Sequence, residues 1–327
     1  MSTLRHVHDR LRQTSAVKIT YTRPQDPPVV VTARWATSNT DSRTGLIFNW
    51  LKTLFSRGVQ GKLTQQNKQS EPFVLGYGAD IFVGTLVLND WNGIEQLVAI
   101  KLVKQAPRKL QREAAIWLHL KHQNIVSLIA FIEERSLLIS LFHKNGNIRT
   151  YLQKNPGVNV LNLVLGVASG LGYLHEQDVV HGDLKPENVV VDNEGSAKLT
   201  DFGISKLIGW RGCTTASVGT CTYIAPELFG KLSPPETGSW TTKESDVYSF
   251  GVLALEIFNS IQPPARDPAL QYRLLHRMEY LSPAVRKKVQ KILEPCLASE
   301  PGRRPNMATV LIDLHLIADT RLLTNNL

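Results

Sequence analysis

Two aspartates and an asparagine lie in short polar segments that favour phosphoryl-transfer chemistry. Asp183 lies in His-Gly-Asp-Leu-Lys-Pro-Glu-Asn at residues 181–188, and Asp201 begins an Asp-Phe-Gly segment 18 residues later. Phosphoryl transfer needs an acceptor for the hydroxyl proton and cations that neutralise charge on the transferred group. Asp183 suits the first task, and Asn188 and Asp201 offer the oxygen ligands that Mg²⁺ prefers. Lys185 is close enough along the chain to reach the phosphoryl group.

The alternative interpretation of these segments is a chance assembly of turn residues between short strands. A single Asp-Phe-Gly would leave that interpretation open, but the two segments at this interval argue against it. With both, the chain resembles the protein kinase family, and the similarity extends over residues 73–317. The resemblance implies an α+β, two-lobed fold with a small antiparallel-sheet N-lobe of five strands and one helix, and a larger helical C-lobe.

The predicted kinase domain spans residues 71–319, with an N-lobe at 71–141, a hinge at 141–144 and a C-lobe at 145–319. The N-lobe shows the apolar alternation of strands, a hairpin turn and one helical segment. These elements are predicted at 73–75, 81–88, 96–103, 108–121, 127–133 and 136–141. After residue 147 the pattern becomes mostly helical.

The resemblance also implies where ATP binds. Lys101, in Val-Ala-Ile-Lys, matches the lysine that holds the α- and β-phosphates, and Glu113 is the helix glutamate expected to pair with it. Taken alone, this lysine and glutamate would be interpreted as surface residues. Ser140 matches the gatekeeper, and the backbone around Phe142 is expected to hydrogen-bond adenine. The complete set of implied ATP-binding residues is Gly76, Gly78, Ala79, Ala99, Lys101, Glu113, Ser140, Phe142 and Val190, of which Ala99 and Val190 sandwich the base.

The phosphate loop matches the family less well. Gly76 and Gly78 supply two glycines, but the third glycine position is occupied by another residue. That residue is Ile81 if the register is counted from Gly76, or Ala79 if residues 80–86 are aligned with the second strand; the second alignment is preferred. Either register lacks a glycine that would let the backbone approach phosphate, so reduced nucleotide affinity is expected.

The segment before Ala-Pro-Glu resembles the serine/threonine-specific branch. Thr220 lies in Gly-Thr-Cys-Thr-Tyr-Ile at residues 219–224. In the family the equivalent hydroxyl hydrogen-bonds the catalytic aspartate and lysine, here Asp183 and Lys185. The implied partner is a protein substrate with an acceptor serine or threonine.

Two further matches imply structural roles. Asp246, in Asp-Val-Tyr-Ser-Phe-Gly, matches the helix that anchors the catalytic loop. Arg304 matches the arginine that pairs with the glutamate of Ala-Pro-Glu, here Glu227. Both assignments rest on the resemblance and not on the spacing.

Gly182 departs from the family pattern, because it replaces the arginine of the usual His-Arg-Asp. In the family that arginine meets a phosphorylated residue of the activation loop. Phosphate on Thr214, Thr215 or Ser217 therefore lacks a principal cationic partner. Catalysis does not require the arginine, since position 182 is outside the reaction path.

Residues 1–70 differ in composition from the rest. They are rich in Thr, Ser, Gln, Asn and Arg and show no sustained periodicity, so this extension is predicted to be largely disordered. A short amphipathic helix is expected near 46–56; packing on its own domain is favoured, and the alternative is a helix that lies on a membrane or binds a partner. The last residues, 320–327, are predicted to be a tail.

Composition sets further expectations. Apolar residues make up 43% of the 327 residues and no long apolar run occurs, so no transmembrane segment is expected. Three cysteines outside metal-ligand spacing fit a reducing compartment, hence a cytoplasmic or nuclear location. The charge of +9 is scattered, which favours a solvated surface over nucleic-acid binding. Composition leaves the oligomeric state open.

The function that these residues predict is a protein serine/threonine kinase that uses ATP with Mg²⁺ as cofactor and Asp183 as catalytic base. The alternative is a pseudokinase that acts as a scaffold or allosteric partner, which the imperfect phosphate loop and Gly182 favour. A small-molecule kinase of the same fold is disfavoured by Thr220 and the intact Ala-Pro-Glu.

Overall fold

The computed structural model describes part of the chain in two compact units. One unit is Met1–Lys121 with Val126–Phe142, and the other is His122–Ile125 with His143–Leu327. The residues described are 15–22, 29–35, 61–66, 74–75, 79–88, 95–104, 107–202, 206–207, 222–228, 241–261, 268–279 and 281–324. Antiparallel strands dominate the first unit and helices the second, which confirms the predicted α+β, two-lobed kinase fold. The segment His122–Ile125, which we assigned to the N-lobe, belongs to the second unit.

The first unit is one sheet with a single described helix. Its elements are β1 (Ser15–Thr22), β2 (Val29–Trp35), β3 (Gly61–Gln66), β4 (Val74–Leu75), β5 (Ala79–Leu88), β6 (Glu95–Val103), α1 (Pro107–Trp117), β7 (Leu128–Ile132) and β8 (Leu137–Leu141). The strand order is β3-β1-β2-β7-β8-β6-β5-β4, and β3 also pairs with β5. Strands β4 to β8 are the five antiparallel strands that the sequence predicts.

Strands β1, β2 and β3 correct the prediction of a five-stranded sheet. β2 pairs with β7, from Ala33↔Ile132 to Trp35↔Ala130, and β3 pairs with β5, from Gly61↔Leu88 to Gln66↔Val83. With β1 paired to both β2 and β3, all the strands except β4 follow one another around a closed ring, and β4 pairs only with β5. Closure leaves fewer unpaired strand edges, which otherwise favour association with other chains.

The sequence does contain a pattern that predicts β1. Val17, Ile19 and Tyr21 alternate with polar residues, and β-branched or aromatic residues at period two are typical of a strand. The polar composition of the surrounding residues obscured this pattern. The amphipathic helix predicted near 46–56 lies outside the described residues, and disorder elsewhere in 1–70 stays a prediction.

Apolar side chains of the first unit are buried both on its sheet and on α1, which packs on β7 and β8. Val98 and Ile100 of β6 are fully buried, as is Leu110 of α1. Because side chains alternate across a strand, Ala99 and Lys101 lie on the face opposite to Val98 and Ile100. The alternation therefore places Lys101 on the face of β6 that meets Glu113 of α1, and Val98 and Ile100 on the other face.

The second unit is mostly helical. Its elements are α2 (Ile148–Lys154), α3 (Val160–Glu176), β9 (Val179–Val180), β10 (Val189–Val191), β11 (Ala197–Leu199), β12 (Lys206–Leu207), α4 (Lys243–Asn259), α5 (Pro268–Arg277), α6 (Pro283–Cys296) and α7 (Met307–Thr324). α7 continues past residue 319, where we predicted the domain to end. No helix of the described ranges has the length and apolar content needed to cross a membrane.

Helix α3 lies at the centre of this unit and packs against α4, α7 and β11. A Cβ added to Gly170 would lie 2.7 Å from the backbone oxygen of Asn124, so only glycine permits this approach. The backbone oxygen of Asn124 accepts a hydrogen bond from the N–H of Leu199, and its side chain donates to the backbone oxygen of Ala197. These contacts explain why residues 122–125 belong to the second unit.

Candidate active site

The catalytic loop, residues 181–188, is anchored from α4 by a buried carboxylate. Asp246 is 1% exposed, and its two oxygens accept the backbone N–H groups of His181 over 2.7 Å and of Gly182 over 2.8 Å. The ring of His175 lies 3.1 Å from the same carboxylate. A capping box of Thr242 and Ser245 fixes the first turn of α4, which contains Asp246. The loop is therefore positioned through its backbone.

His181 connects the catalytic loop to the segment that contains Asp201. Its ring is fully buried, with Nδ1 3.2 Å from the backbone N–H of Asp183 and Nε2 3.2 Å from the backbone oxygen of Thr200. These partners define the tautomer, because Nδ1 must accept and Nε2 must donate. The ring also packs against Phe202 at 5.6 Å between centroids.

The carboxylate of Asp183 is held by two donors from its own loop. Nζ of Lys185 donates to Oδ2 over 2.6 Å, and Nδ2 of Asn188 donates to the same atom over 3.1 Å and to the backbone oxygen of Asp183 over 2.7 Å. Both donors reach Oδ2, so Oδ1 is the oxygen left to accept a proton. Burial raises the pKa of Asp183 above its ordinary value, although Lys185 opposes that shift. A raised pKa makes this carboxylate a better proton acceptor than a free aspartate.

Asn188 and Asp201 can together hold a hard cation. The amide nitrogen of Asn188 is directed to Asp183, which leaves its side-chain oxygen available as a ligand. The N–H of Thr200 donates to the backbone oxygen of Asn188 over 2.9 Å and fixes the neighbouring Asp201. Asp201 has a φ of +63°, in the left-handed region that is uncommon for non-glycine residues but that aspartate adopts more readily than most.

These two side chains fit Mg²⁺ better than a transition metal. Within the ranges that the structure covers, no cluster of three or more His, Cys, Asp or Glu side chains could hold a metal ion. Mg²⁺ is commonly bound through one or two protein oxygens, with phosphate and water completing its octahedron. The amide of Asn188 and the carboxylate of Asp201 offer oxygen donors of the kind that such a site uses.

In the first unit, the predicted pair of Lys101 and Glu113 is present. Nζ of Lys101 donates to Oε1 of Glu113 over 2.6 Å, and the two side chains are 11% and 2% exposed. β6 supplies the lysine and α1 the glutamate, so the pair connects the sheet to its helix. Such a buried ion pair holds the ammonium group in one place.

The other predicted ATP-binding residues are distributed over both units. In the first unit, Ala99 pairs with Ser140 across β6 and β8, and the N–H of Phe142 donates to the backbone oxygen of Leu97 over 3.3 Å. Ala79 is the first residue of β5. Val190 lies on β10 in the second unit, half-buried. Gly76, Gly78 and Thr220 fall outside the described residues.

The predicted pair of Glu227 and Arg304 is also present. Nη1 and Nη2 of Arg304 each lie 2.7 Å from a carboxylate oxygen of Glu227, a bidentate arrangement. The Arg304 side chain is fully buried, and its guanidinium lies 5.1 Å from the ring centroid of Tyr248. The pair therefore ties the Ala-Pro-Glu turn to the segment before α7.

A group of charged residues beside the catalytic loop could not be recognised from the sequence. Arg149 of α2 contacts Glu187, Glu256 and the phenol of Tyr223. A cavity of about 30 Å³ borders this group and is lined by Asp183, among other residues. These side chains come from four distant parts of the chain, so no spacing in the sequence marks them as neighbours.

Comparison with known proteins identifies the family. The model of the protein tyrosine and serine/threonine kinase family matches residues 73–314. The serine/threonine-protein kinase STY17 of Arabidopsis thaliana is 27% identical over 76% of this chain and 44% of its own length. A probable LRR receptor-like serine/threonine-protein kinase of the same plant, MEE39, is 28% identical over 85% of this chain and 35% of its own length.

A higher identity is found over a shorter stretch. An L-type lectin-domain containing receptor kinase of Arabidopsis thaliana, IX.1, is 40% identical over 56% of this chain and 28% of its own length. The chain thus spans less than half the length of each of these three relatives. Because the family model matches well over half of the residues, this chain belongs to the protein kinase family.

Proposed function

We propose that this chain is a protein serine/threonine kinase that transfers the γ-phosphoryl group of MgATP to a protein hydroxyl. The observation that carries the proposal is the constellation on the catalytic loop, where Lys185 and Asn188 both donate to the Asp183 carboxylate. In the proposed reaction, Asp183 accepts the proton of the substrate hydroxyl as its oxygen attacks the γ-phosphorus, and the bond from that phosphorus to the bridging oxygen breaks to release ADP. Lys185 then neutralises charge on the phosphoryl group during transfer.

The remaining roles concern the nucleotide. Lys101, fixed by Glu113, holds the α- and β-phosphates, and Asn188 and Asp201 supply protein ligands to Mg²⁺. When bound, Mg²⁺ neutralises charge on the β- and γ-phosphates. Ala99, Val190, Ser140 and the backbone at Phe142 contact adenine in this proposal, and Ala79 and the glycines before it cover the phosphates.

The preference for serine and threonine rests on Thr220 and on the relatives. Thr220 is proposed to hydrogen-bond Asp183 and Lys185 when a peptide substrate is bound. STY17 and MEE39 both carry serine/threonine-protein kinase in their names. Acceptors of this kind are therefore proposed for this chain.

The second candidate is a pseudokinase that acts as a scaffold or allosteric partner. Two observations favour it, namely the phosphate loop with two glycines and the glycine at position 182. Against it stands the buried pair of Lys101 and Glu113, together with Asp183, Asn188 and Asp201. A protein that only binds partners has no chemical need for this set, so the active kinase is the better-supported function.

An assay with MgATP and generic basic and acidic proteins tests the proposal. We expect phosphoserine or phosphothreonine as product, and we expect Lys101→Met to lose most of the turnover while keeping its fold by circular dichroism. Phosphotyrosine as the main product would overturn only the residue specificity. No transfer by the parent chain to any substrate would favour the pseudokinase.

A further inference from the structure

Arg149 joins two carboxylates and a phenol beside the catalytic loop. Its Nε donates to Oε1 of Glu256 over 2.7 Å, its Nη1 to Oε1 of Glu187 over 2.5 Å and its Nη2 to the hydroxyl of Tyr223 over 2.9 Å. The Tyr223 hydroxyl in turn donates to Oε2 of Glu256. We call these four residues the Arg149 cluster.

The charges of the Arg149 cluster are unequally exposed. The side chain of Glu256 is 4% exposed, that of Arg149 27% and that of Glu187 41%. Burial alone would lower the pKa of Arg149, but the hydrogen bond and charge of Glu256 raise it above its usual value. Burial and the hydrogen bond to Glu256 raise the pKa of Tyr223, which therefore stays a neutral donor. The charged guanidinium of Arg149 therefore pairs with both Glu187 and Glu256, and of these two carboxylates Glu187 is the more exposed to solvent.

The Arg149 cluster lies next to the proposed site of phosphoryl transfer. Glu187 belongs to the catalytic loop, four residues after Asp183 and directly before Asn188. Tyr223 lines the small cavity that is also lined by Asp183 and Lys185. A protein segment that presents its hydroxyl to Asp183 would therefore pass close to Glu187.

We propose that Arg149 is a specificity-determining residue: it fills, from within the chain, the place between Glu187 and Glu256 that a basic side chain of a substrate would otherwise occupy. This inference rests on the proposed kinase function and names its substrate class. The chain phosphorylates hydroxyls in segments that need no arginine or lysine near the acceptor.

The physical reason is competition for the same acceptors. Two carboxylates next to a catalytic loop attract a substrate guanidinium, because charge-assisted bidentate hydrogen bonds are among the strongest polar contacts. Here the internal guanidinium already makes those bonds. A substrate arginine would have to share Glu187 at the exposed edge of the cluster, where an ion pair contributes little.

Peptide kinetics with two substitutions test this inference. The peptides carry one acceptor serine in an otherwise alanine- and glycine-rich sequence, with an arginine placed in turn at each flanking position. For the parent chain we expect the best arginine peptide to exceed the alanine peptide in kcat/KM by less than about fivefold, the range of an exposed ion pair. Arg149→Gln leaves both carboxylates without a cation, and we expect a preference for one arginine position of about tenfold or more, mainly through KM.

Matched variants separate specificity from stability. Arg149→Lys keeps the charge, so its preference should stay close to that of the parent chain. Arg149→Gln combined with Glu187→Gln should lose most of the acquired preference. If thermal unfolding shows that Arg149→Gln is unfolded, Glu187→Ala in the parent chain is the test, because removing a carboxylate that already pairs with Arg149 should change the arginine-to-alanine ratio by no more than about fivefold, the range of an exposed ion pair.

Three results would overturn the inference. They are a strong arginine preference of the parent chain, an unchanged arginine-to-alanine ratio in folded Arg149→Gln, and a ratio that falls by more than about fivefold in Glu187→Ala. A parent chain that phosphorylates no peptide or protein would overturn the proposed kinase function and this inference with it. If the parent chain phosphorylates peptides but folded Arg149→Gln keeps the arginine-to-alanine ratio of the parent chain, only this inference is overturned.

Discussion

The catalytic loop and the Ala-Pro-Glu turn are each held by one buried charged residue, but in different ways. Asp246 accepts two backbone N–H groups of the catalytic loop, from His181 and Gly182. Arg304 donates to the side chain of Glu227 in the turn. The hydrogen bond from position 182 to Asp246 uses only the backbone and does not depend on the side chain there. The contact with Arg304 requires the carboxylate of Glu227. A departure from the family pattern is therefore tolerated at position 182 and would be costly at position 227.

Gly182 illustrates the consequence of a backbone anchor. Its φ of +81° lies in the left-handed region that glycine adopts without strain. The N–H that contacts Asp246 is present whatever the side chain. Loss of the family's arginine at this position therefore removes a partner for activation-loop phosphate without releasing the catalytic loop from α4.

Asp246→Ala should have the largest effect on stability. It leaves two buried N–H groups and the ring of His175 without their acceptor, and we expect it to lower the free energy of unfolding by about 4 kcal/mol. Asp246→Asn is the matched control, because it keeps one acceptor oxygen and should lose clearly less. Urea unfolding measures both, and an alanine variant as stable as the parent chain would show that the loop is held by other contacts.

Glu227→Ala should have the next largest effect. It leaves the fully buried Arg304 guanidinium without its carboxylate, at a cost of about 3 kcal/mol. The loss is smaller than for Asp246 because Arg304 keeps the backbone oxygens of Ala298, Glu244 and Ser299 as acceptors. Glu227→Gln retains one acceptor and should fall between the alanine variant and the parent. Equal melting temperatures for all three proteins would contradict a stabilising pair.

Gly182→Arg should cost less than either anchor substitution. An arginine in the left-handed region is strained by about 1 kcal/mol, while the hydrogen bond from the backbone N–H to Asp246 is retained. Gly182→Asn is the control, since asparagine tolerates this conformation best after glycine. If Gly182→Arg lowered the free energy of unfolding as much as Asp246→Ala does, the size of the side chain, and not the backbone conformation, would restrict which residue can occupy position 182.

Activation-loop phosphorylation should have the smallest effect. The candidate sites Thr214, Thr215 and Ser217 lie outside the described residues, and the catalytic loop offers their phosphates no arginine. Phosphorylation can shift the balance between inactive and active conformations only by the difference in its interaction free energy with the two. Because that difference is small here, phosphatase treatment should change specific activity only modestly. Alanine at Thr214, Thr215 and Ser217 together should likewise change specific activity only modestly.

Two results bear on that expectation. Gly182→Arg should make activity more sensitive to phosphatase, because it restores a cation for the phosphate. A loss of activity on the order of a hundredfold after dephosphorylation of the parent chain, reversed by rephosphorylation, would show that another basic residue has taken this role.

The parts of the site that depend on contiguous residues could be predicted from the sequence. Asp183, Lys185 and Asn188 lie within one loop, so their spacing alone brings them together. The pairs Lys101–Glu113 and Glu227–Arg304 join separate elements, and the family resemblance predicted them where spacing could not.

Long-range contacts without a motif could not be predicted. β2 forms against β7, which lies about 100 residues further along the chain, β3 forms against β5, and polar composition suggested disorder for the region of β2 and β3. The Arg149 cluster likewise depends on how α2 and α4 pack beside the catalytic loop. Only tertiary structure brings such residues together.

The measurement that tests the proposed function most directly compares phosphoryl transfer with nucleotide binding in Asp183→Asn. Transfer from MgATP to a protein substrate should fall by about 10²–10⁴-fold, the usual contribution of a general base, while MgATP binding measured by calorimetry stays close to that of the parent chain. Transfer at the parent rate by Asp183→Asn would contradict the assignment of Asp183 as the proton acceptor and, with it, the proposed mechanism.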